Sequence, residues 1–311
     1  MPIPPRLRPG NTIGIITPSA PISSSPSPEP RQELERGMKF LQDLGFKVVL
    51  AEHALKEDGY SAGTAQERAA DINAMFADQN VRAILASHGG TTVNSCLPFL
   101  DWKTIRENPK VLMGFSDLTV LLLAVHTMTG LVTFHGNMVM WHFGMNPTEY
   151  DWGEFMERLV HARIGVIQKN SEWRTIRGKG RVEGRLFGGH IGQLSLLFGT
   201  PYWPDFEESI LFLEFTEYEP AALDARFQQL KQMGVFEKVR GAIIGHIQGA
   251  PQEKAYQAEN ILNKVTENFD FPILKTDDFG HLCPNTVLPV GVRARLDADS
   301  AELAILEPCV L

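Results

Sequence analysis

The sequence predicts an α/β fold of two domains: a parallel sheet covered by helices, then a unit of mixed strands and helices that ends in short strands. Three observations carry this. The chain has 311 residues, more than one hydrophobic core comfortably organises. Strand-like and helix-like segments alternate through its first half, the pattern of a parallel sheet with crossover helices. A largely polar crossing segment over residues 146–179 then precedes a second alternating set.

The elements follow in order. Residues 12–17 (TIGIIT) form a β-branched run that stops at Pro18. Residues 32–44 place Leu34, Met38, Leu41 and Leu44 on one helical face. A strand is expected over 46–50, and Thr64 with Glu67 makes a capping box that opens a helix reaching about Ala77. Residues 81–87 form a strand followed by Gly89-Gly90; 110–115 form another, feeding a helix over 117–128 and a last strand over 131–134. A helix over 152–162 lies in the crossing segment. The second unit shows strands over 210–215 and 241–247, helices over 221–233 and 258–269, and short strands from Pro272 onward. The tract PISSSPSPEP (21–30) reads as a loop.

Composition narrows the function. Hydrophobic residues make up 43% and charged residues 21%, so the chain can bury cores and is not a disordered polyelectrolyte. A net charge of -8 without basic clusters argues against a nucleic-acid partner. The opening MPIPPRLRPG has no apolar signal core, and the apolar run near residues 120–125 is too short to span a bilayer. Cys96, Cys283 and Cys309 have no metal-like spacing and read as reduced thiols. Together these place the protein in the cytoplasm, away from membranes.

Ser116 is the leading chemical candidate. It stands where the apolar strand VLMGF meets a helix, so its hydroxyl projects past the sheet edge beside a helix N-terminus that favours developing negative charge. The setting resembles a nucleophile elbow, although Leu118 stands where that pattern has Gly. A Ser before Asp at a helix start is equally the pattern of a plain N-cap. Gly89-Gly90 ends another strand and offers backbone amides for an oxyanion, or simply a tight turn. A serine nucleophile needs a base and the base an orienting acceptor. Among nine histidines His281 is the best placed, on irregular backbone between Phe279-Gly280 and the loop CPNTVLP. Glu214 ends the apolar strand ILFLEF, an awkward place for a carboxylate unless it serves a site. Trp141, Trp152, Trp203 and Tyr202 read as core aromatics rather than pocket walls.

At these places the chain resembles the LD-carboxypeptidase and microcin-immunity serine peptidases. The resemblance spans nearly the whole sequence: LRPGNTIGIITPSAPI at the start, the long stretch from SHGGTTVNS through VLMGFSDLTV to TFHGN, then GRLFGGHIGQLSLLFGTPYWPD, ILFLEF and FGHLCPNTVLPVGVRARLD. It implies Ser116 as nucleophile, His281 as general base and Glu214 as its orienting acid, with the backbone amides of Gly90 and Asp117 as oxyanion donors. It implies a flavodoxin-like N-terminal domain (1–165) bearing the nucleophile and a smaller, β-rich α+β domain (166–311) bearing acid and base. It also implies a homodimer and chemistry that needs no metal or organic cofactor. His190, Phe215 and Asn137 depart from common family residues, and the first two bear on specificity. The loop Gly89-Gly90-Thr91-Thr92-Val93-Asn94-Ser95 and the segment GVFEKVRGAIIGH resemble the microcin-immunity branch, which cleaves an amide joining an acidic residue to a nucleotide-like group. Two alternatives stand beside that small peptide or peptide-nucleotide substrate: a murein tetrapeptide LD-carboxypeptidase, and a non-catalytic ligand-binding protein on the same scaffold. A nucleotide-dependent enzyme is disfavoured, because neither a G-x-G-x-x-G nor a Walker pattern occurs.

Overall fold

The short apolar runs of the first half become buried strands: β1 (Thr12–Ile16), β2 (Lys47–Leu50), β3 (Val81–Ala86), β4 (Val111–Gly114) and β5 (Thr133–His135). The computed structural model describes residues 1–216, 219–249, 253 and 257–311. The five strands pair in parallel in the order β2-β1-β3-β4-β5, the flavodoxin-like order expected. Strands apolar on both faces need helices on both sides. Those are α1 (Pro30–Asp43), α2 (Ala65–Ala77), α3 (Trp102–Glu107) and α4 (Leu118–Thr129). The Thr64–Glu67 capping box is present at the start of α2. Helix α4 buries nearly every side chain, because it is enclosed by both halves of the molecule.

The crossing helix is α5 (Glu149–Leu159), three residues earlier than the pattern suggested. A second capping box, Thr148 with Asp151, sets its start, and Asp replaces the Glu or Gln that usually marks such a box. The remaining strands are β6 (Gly165–Val166), β7 (Arg174–Arg177), β8 (Arg181–His190), β9 (Ser209–Phe215), β10 (Val239–Ile247), β11 (Ile273–Lys275), β12 (Leu288–Val290), β13 (Arg293–Asp297) and β14 (Glu302–Ile305). All but β12 form one sheet in the order β6-β14-β13-β8-β9-β10-β11-β7. Its centre, β8 to β11, is parallel, and its flanks are antiparallel. Short α6 (Ile191–Leu194) follows β8; α7 (Pro220–Gln232) and α8 (Val235–Lys238) lead into β10, and α9 (Ala258–Val265) leads into β11. Among the described residues no helix is long and apolar enough to cross a membrane.

Two features place the site. Strand β12 leaves the second sheet and pairs antiparallel with β5 of the first, Leu288 opposite His135. The loop 276–287, which holds His281, is therefore strung between the two sheets. The end of β8 docks on α4: the His190 amide donates to Thr119 Oγ1 at 3.0 Å. Gly189 has φ +139°, and a Cβ there would meet the Thr119 side chain, so only glycine permits this close approach. Because β9 pairs with β8, with Glu214 opposite His190, this docking carries Glu214 toward the start of α4.

Candidate active site

Ser116 has φ +60°, in the left-handed region that costs a side-chain-bearing residue about 1–2 kcal/mol. The turn demands it: the chain leaves β4 and enters α4 at once, with the Leu118 amide bonding to Phe115 O at 3.1 Å and the Thr119 amide to Ser116 O at 3.0 Å. The Leu118 departure from the elbow pattern has a steric answer. A Cβ on Gly114 would lie 2.7 Å from Leu118 Cγ, so Gly114 vacates the space that Leu118 fills. Ser116 borders a cavity of about 160 Å³ together with Gly89, Gly90, Met138, Trp141 and His281. The serine-rich tract forms another wall, through Ser24, Ser25 and Pro26. It is tied down by a turn over Ile22–Ser24 and by the Ser25 hydroxyl, which donates to Glu33 at 3.1 Å.

His281 is buried, and its Nδ1 lies 2.7 Å from Glu214 Oε2. Glu214 is fully buried. Burial pushes its carboxyl up, but the nearby His281, His190 and His135 rings and the His281 bond outweigh this and hold it down at about 2. The carboxylate is thus ionised at neutral pH and fixes which imidazole nitrogen bears the proton. The ring packs on Phe115 (centroids 4.7 Å apart) and meets Trp141 edge-on at 5.9 Å. The structure therefore brings Ser116 and His281 to one cavity with Glu214 behind the ring. Among the described residues no hydrogen bond joins Ser116 Oγ to the imidazole, although both border the cavity; in catalytic pairs such a bond often tightens only around the substrate.

The Gly90 and Asp117 amides have no acceptor within the described residues. A Cβ on Gly90 would strike Ser19 Oγ and lie 2.7 Å from the Ala20 amide. The Asp117 side chain clamps the loops around Ser116. Its Oδ2 accepts from the Ser19 hydroxyl and from the Thr92 and Val93 amides at 3.1 and 3.2 Å. Burial pushes its carboxyl up, against these bonds and the charge of Arg68. Arg68 is itself buried, donating to Pro18 O at 2.7 Å and Ser95 Oγ at 3.0 Å. Three cysteines remain free thiols, two of them buried.

A strained serine, the Gly90 backbone and an imidazole backed by a buried carboxylate meet at one cavity, and comparison with known proteins supplies the family. The LD-carboxypeptidase N-terminal domain model matches residues 13–136, and the LD-carboxypeptidase C-terminal domain model matches 183–296. The chain belongs to the LD-carboxypeptidase family. It is 30% identical to the microcin C7 self-immunity protein MccF of Escherichia coli, over 96% of this chain and 94% of that one. It is also 30% identical to a probable murein peptide carboxypeptidase of Bacillus subtilis, over 98% of this chain and 94% of that one. The solved structure of MccF with glutamyl sulfamoyl guanosine superposes with a TM-score of 0.91 at 29% identity, covering 99% of each chain; another MccF structure holds aspartyl sulfamoyl adenosine. In class, then, this LD-carboxypeptidase family member is a serine-type carboxypeptidase and a hydrolase, and the binding-only alternative falls away.

Within the family frame the departures sort by position. The His190 ring lies 5.6 Å from that of His281 and 5.3 Å from that of Phe215, so the two departures stack beside the His281 ring. Asn137 is buried and donates to Asp151 O at 3.2 Å, away from the cavity. The aromatic reading needs one correction: Trp141 lines the cavity. Trp203 packs on Phe198 and Phe206, and Tyr202 on Trp102, while Trp152 borders a separate surface cleft. The sequence did not separate Trp141 from the other three aromatics, because it sits on a π-helical turn (Val139–Phe143) that follows no helix or strand period. Asn285, four residues beyond His281, also went unread. Its only signal was an Asn in a Pro-containing loop, the type that bonds backbone.

Proposed function

We propose that this enzyme hydrolyses an amide bond near the C-terminus of a small peptide or peptide-nucleotide conjugate, using Ser116 as nucleophile, His281 as general base and Glu214 as its orienting acid. The observation that carries the reading is the 2.7 Å Glu214–His281 pair facing the cavity that Ser116 borders. Glu214 holds the proton on Nδ1, which leaves Nε2 able to take the Ser116 proton as Oγ attacks the scissile carbonyl. The tetrahedral oxyanion is received by the Gly90 and Asp117 amides, both without an acceptor among the described residues. His281 then protonates the departing amine, and water, activated by the same ring, releases the acyl group. Every proton in this cycle passes through one imidazole, and Glu214 stabilises its charged form without titrating near neutral pH.

The microcin-immunity branch is the favoured assignment, supported by the Gly89–Ser95 loop and by MccF structures that hold acidic aminoacyl sulfamoyl nucleosides. Murein tetrapeptide is the second reading, supported by the equal identity to the Bacillus subtilis protein. We place the enzyme in the cytoplasm, following its composition, and as a homodimer, following the family resemblance. The test is a hydrolysis panel of aspartyl and glutamyl sulfamoyl nucleosides against murein tetrapeptide, with Ser116→Ala as control. Turnover of the conjugates supports the first branch, and turnover of murein tetrapeptide alone supports the second. Undiminished turnover by Ser116→Ala contradicts both.

A further inference from the structure

Glu214 fixes one nitrogen of His281, but a single hydrogen bond does not fix the loop that carries the ring. That loop is unusual: Gly280 has φ +130° and Leu282 φ +54°. A leucine in the left-handed region persists only where its surroundings over-determine it. The buried side chain of Asn285 supplies the constraint. Its Oδ1 accepts from the Gly280 amide at 2.8 Å, and its Nδ2 donates to Gly280 O and Cys283 O, each at 2.9 Å. Gly280, just before His281, and Cys283, two residues after it, are thereby stapled together.

The same amide reaches the first domain. Gly280 N–H can only donate and the two carbonyls can only accept, so the orientation of the Asn285 amide is determined. Its Nδ2 lies 2.8 Å from His142 Nε2; an amide nitrogen only donates, so Nε2 is an acceptor, and the two Nδ2 hydrogens are shared among Gly280 O, Cys283 O and His142 Nε2. His142 is then a neutral ring protonated on Nδ1; burial, which pushes it down to about 4, is consistent with this. The Met138 amide lies 3.5 Å from that Nδ1, a marginal contact that does not outweigh the shorter one. The Asn285 backbone amide also donates to Asp151 Oδ1 at 2.8 Å, in the capping box of α5. His142 in turn sits on the π-helical turn that holds Trp141, the cavity wall packed edge-on against His281.

We infer that Asn285 and His142 are a positioning pair that sets His281 against Ser116 by joining the base's loop to the nucleophile's domain. The inference rests on the catalytic reading of Ser116 and His281 given above. Loss of the joint should leave the substrate cavity in place while loosening the base, and displacements of about 1 Å in such groups cost up to roughly a hundredfold in rate.

The test follows covalent labelling of Ser116 by a serine-reactive fluorophosphonate, read by peptide mass spectrometry, alongside thermal unfolding. His142→Phe keeps a ring without an acceptor; His142→Gln restores an acceptor near the position of Nε2. The expected result is labelling slowed about 10–100-fold in His142→Phe, largely recovered in His142→Gln, with comparable unfolding midpoints. Asn285→Ala should slow labelling in the same direction, but the inference does not depend on that variant folding. Labelling of His142→Phe at the wild-type rate, or a His142→Gln variant as slow as the Phe variant, would overturn the pair's role. Ser116→Ala separates the two levels: if wild type is labelled elsewhere than Ser116, the catalytic reading fails and takes this inference with it. If Ser116 is labelled normally and His142→Phe is unaffected, the positioning inference fails alone.

Discussion

Ser116 and His281 border one cavity but are held there by opposite means. Ser116 belongs to a turn between a strand and a helix adjacent in sequence, and its φ of +60° is imposed by bonds within residues 115–119. His281 sits on a loop strung from β11 in one sheet to β12 in the other, steadied by Glu214 and Asn285. Ser116 is placed locally; His281 is placed by Glu214, distant in sequence, and through Asn285, which ties the His281 loop to His142 and Asp151 of the first half. The position of Ser116 should therefore tolerate remote substitutions that the position of His281 does not.

The largest effect should come from the remotely held base. His281→Ala is expected to lower kcat/KM on the order of 10⁴-fold, with little change in thermal unfolding; a loss under tenfold would mean the ring is not the base. Glu214→Gln keeps the size but removes the charge that orients Nδ1–H. A loss on the order of 10³-fold is expected, mostly in kcat, and wild-type kcat in this variant would show that the pairing is only structural. On the locally held side, Gly90→Ala drives a methyl into Ser19 and the Ala20 amide. It should cost roughly 10²-fold in kcat through the displaced oxyanion amide. An effect confined to KM would place Gly90 in substrate binding instead.

The smallest effect concerns acid stability, where the two regions should separate again. His88, His135 and His142 of the first half are each pushed down to about 4 by burial. Unfolded, they bind protons near pH 6.5, so the unfolded chain binds more protons below that value and stability falls as pH drops from about 6.5 toward 4. Glu214 has the other window: its folded value of about 2 lies below the ordinary 4.5, so its contribution is complete above about 4.5 and is lost only as pH falls toward 2. Melting curves at pH 7 and 5 should show a lower midpoint at pH 5, and His135→Phe should narrow the gap. A flat profile between the two would argue against neutral buried histidines.

Local features of the first half were legible in the sequence. The β-branched run of β1, the capping box of α2 and the strand–helix turn at Ser116 all follow from residues close together. The second half was read less well, for identifiable reasons. Gly184, Gly188 and Gly189 break the strand pattern of β8, yet two of them are there to let backbone approach Phe212 and Thr119. The crossing of β12 rests on three residues, Leu288–Val290, whose partner β5 lies far back in the chain. Glu214 and His281 stood out individually as oddly placed, but only the family resemblance joined them, because their pairing depends on how β9 docks behind a loop from elsewhere. Trp141 and Asn285 depend on such tertiary geometry entirely.

The central claim is that a base from one sheet's loop activates a serine at the end of the other sheet. Labelling kinetics with a fluorophosphonate on wild type and His281→Ala test it most directly, with the modified peptide located by mass spectrometry. The account predicts a single adduct on Ser116 in wild type, formed at least about tenfold more slowly in His281→Ala. An adduct at another residue, or equal labelling rates at Ser116 in the two proteins, would contradict it.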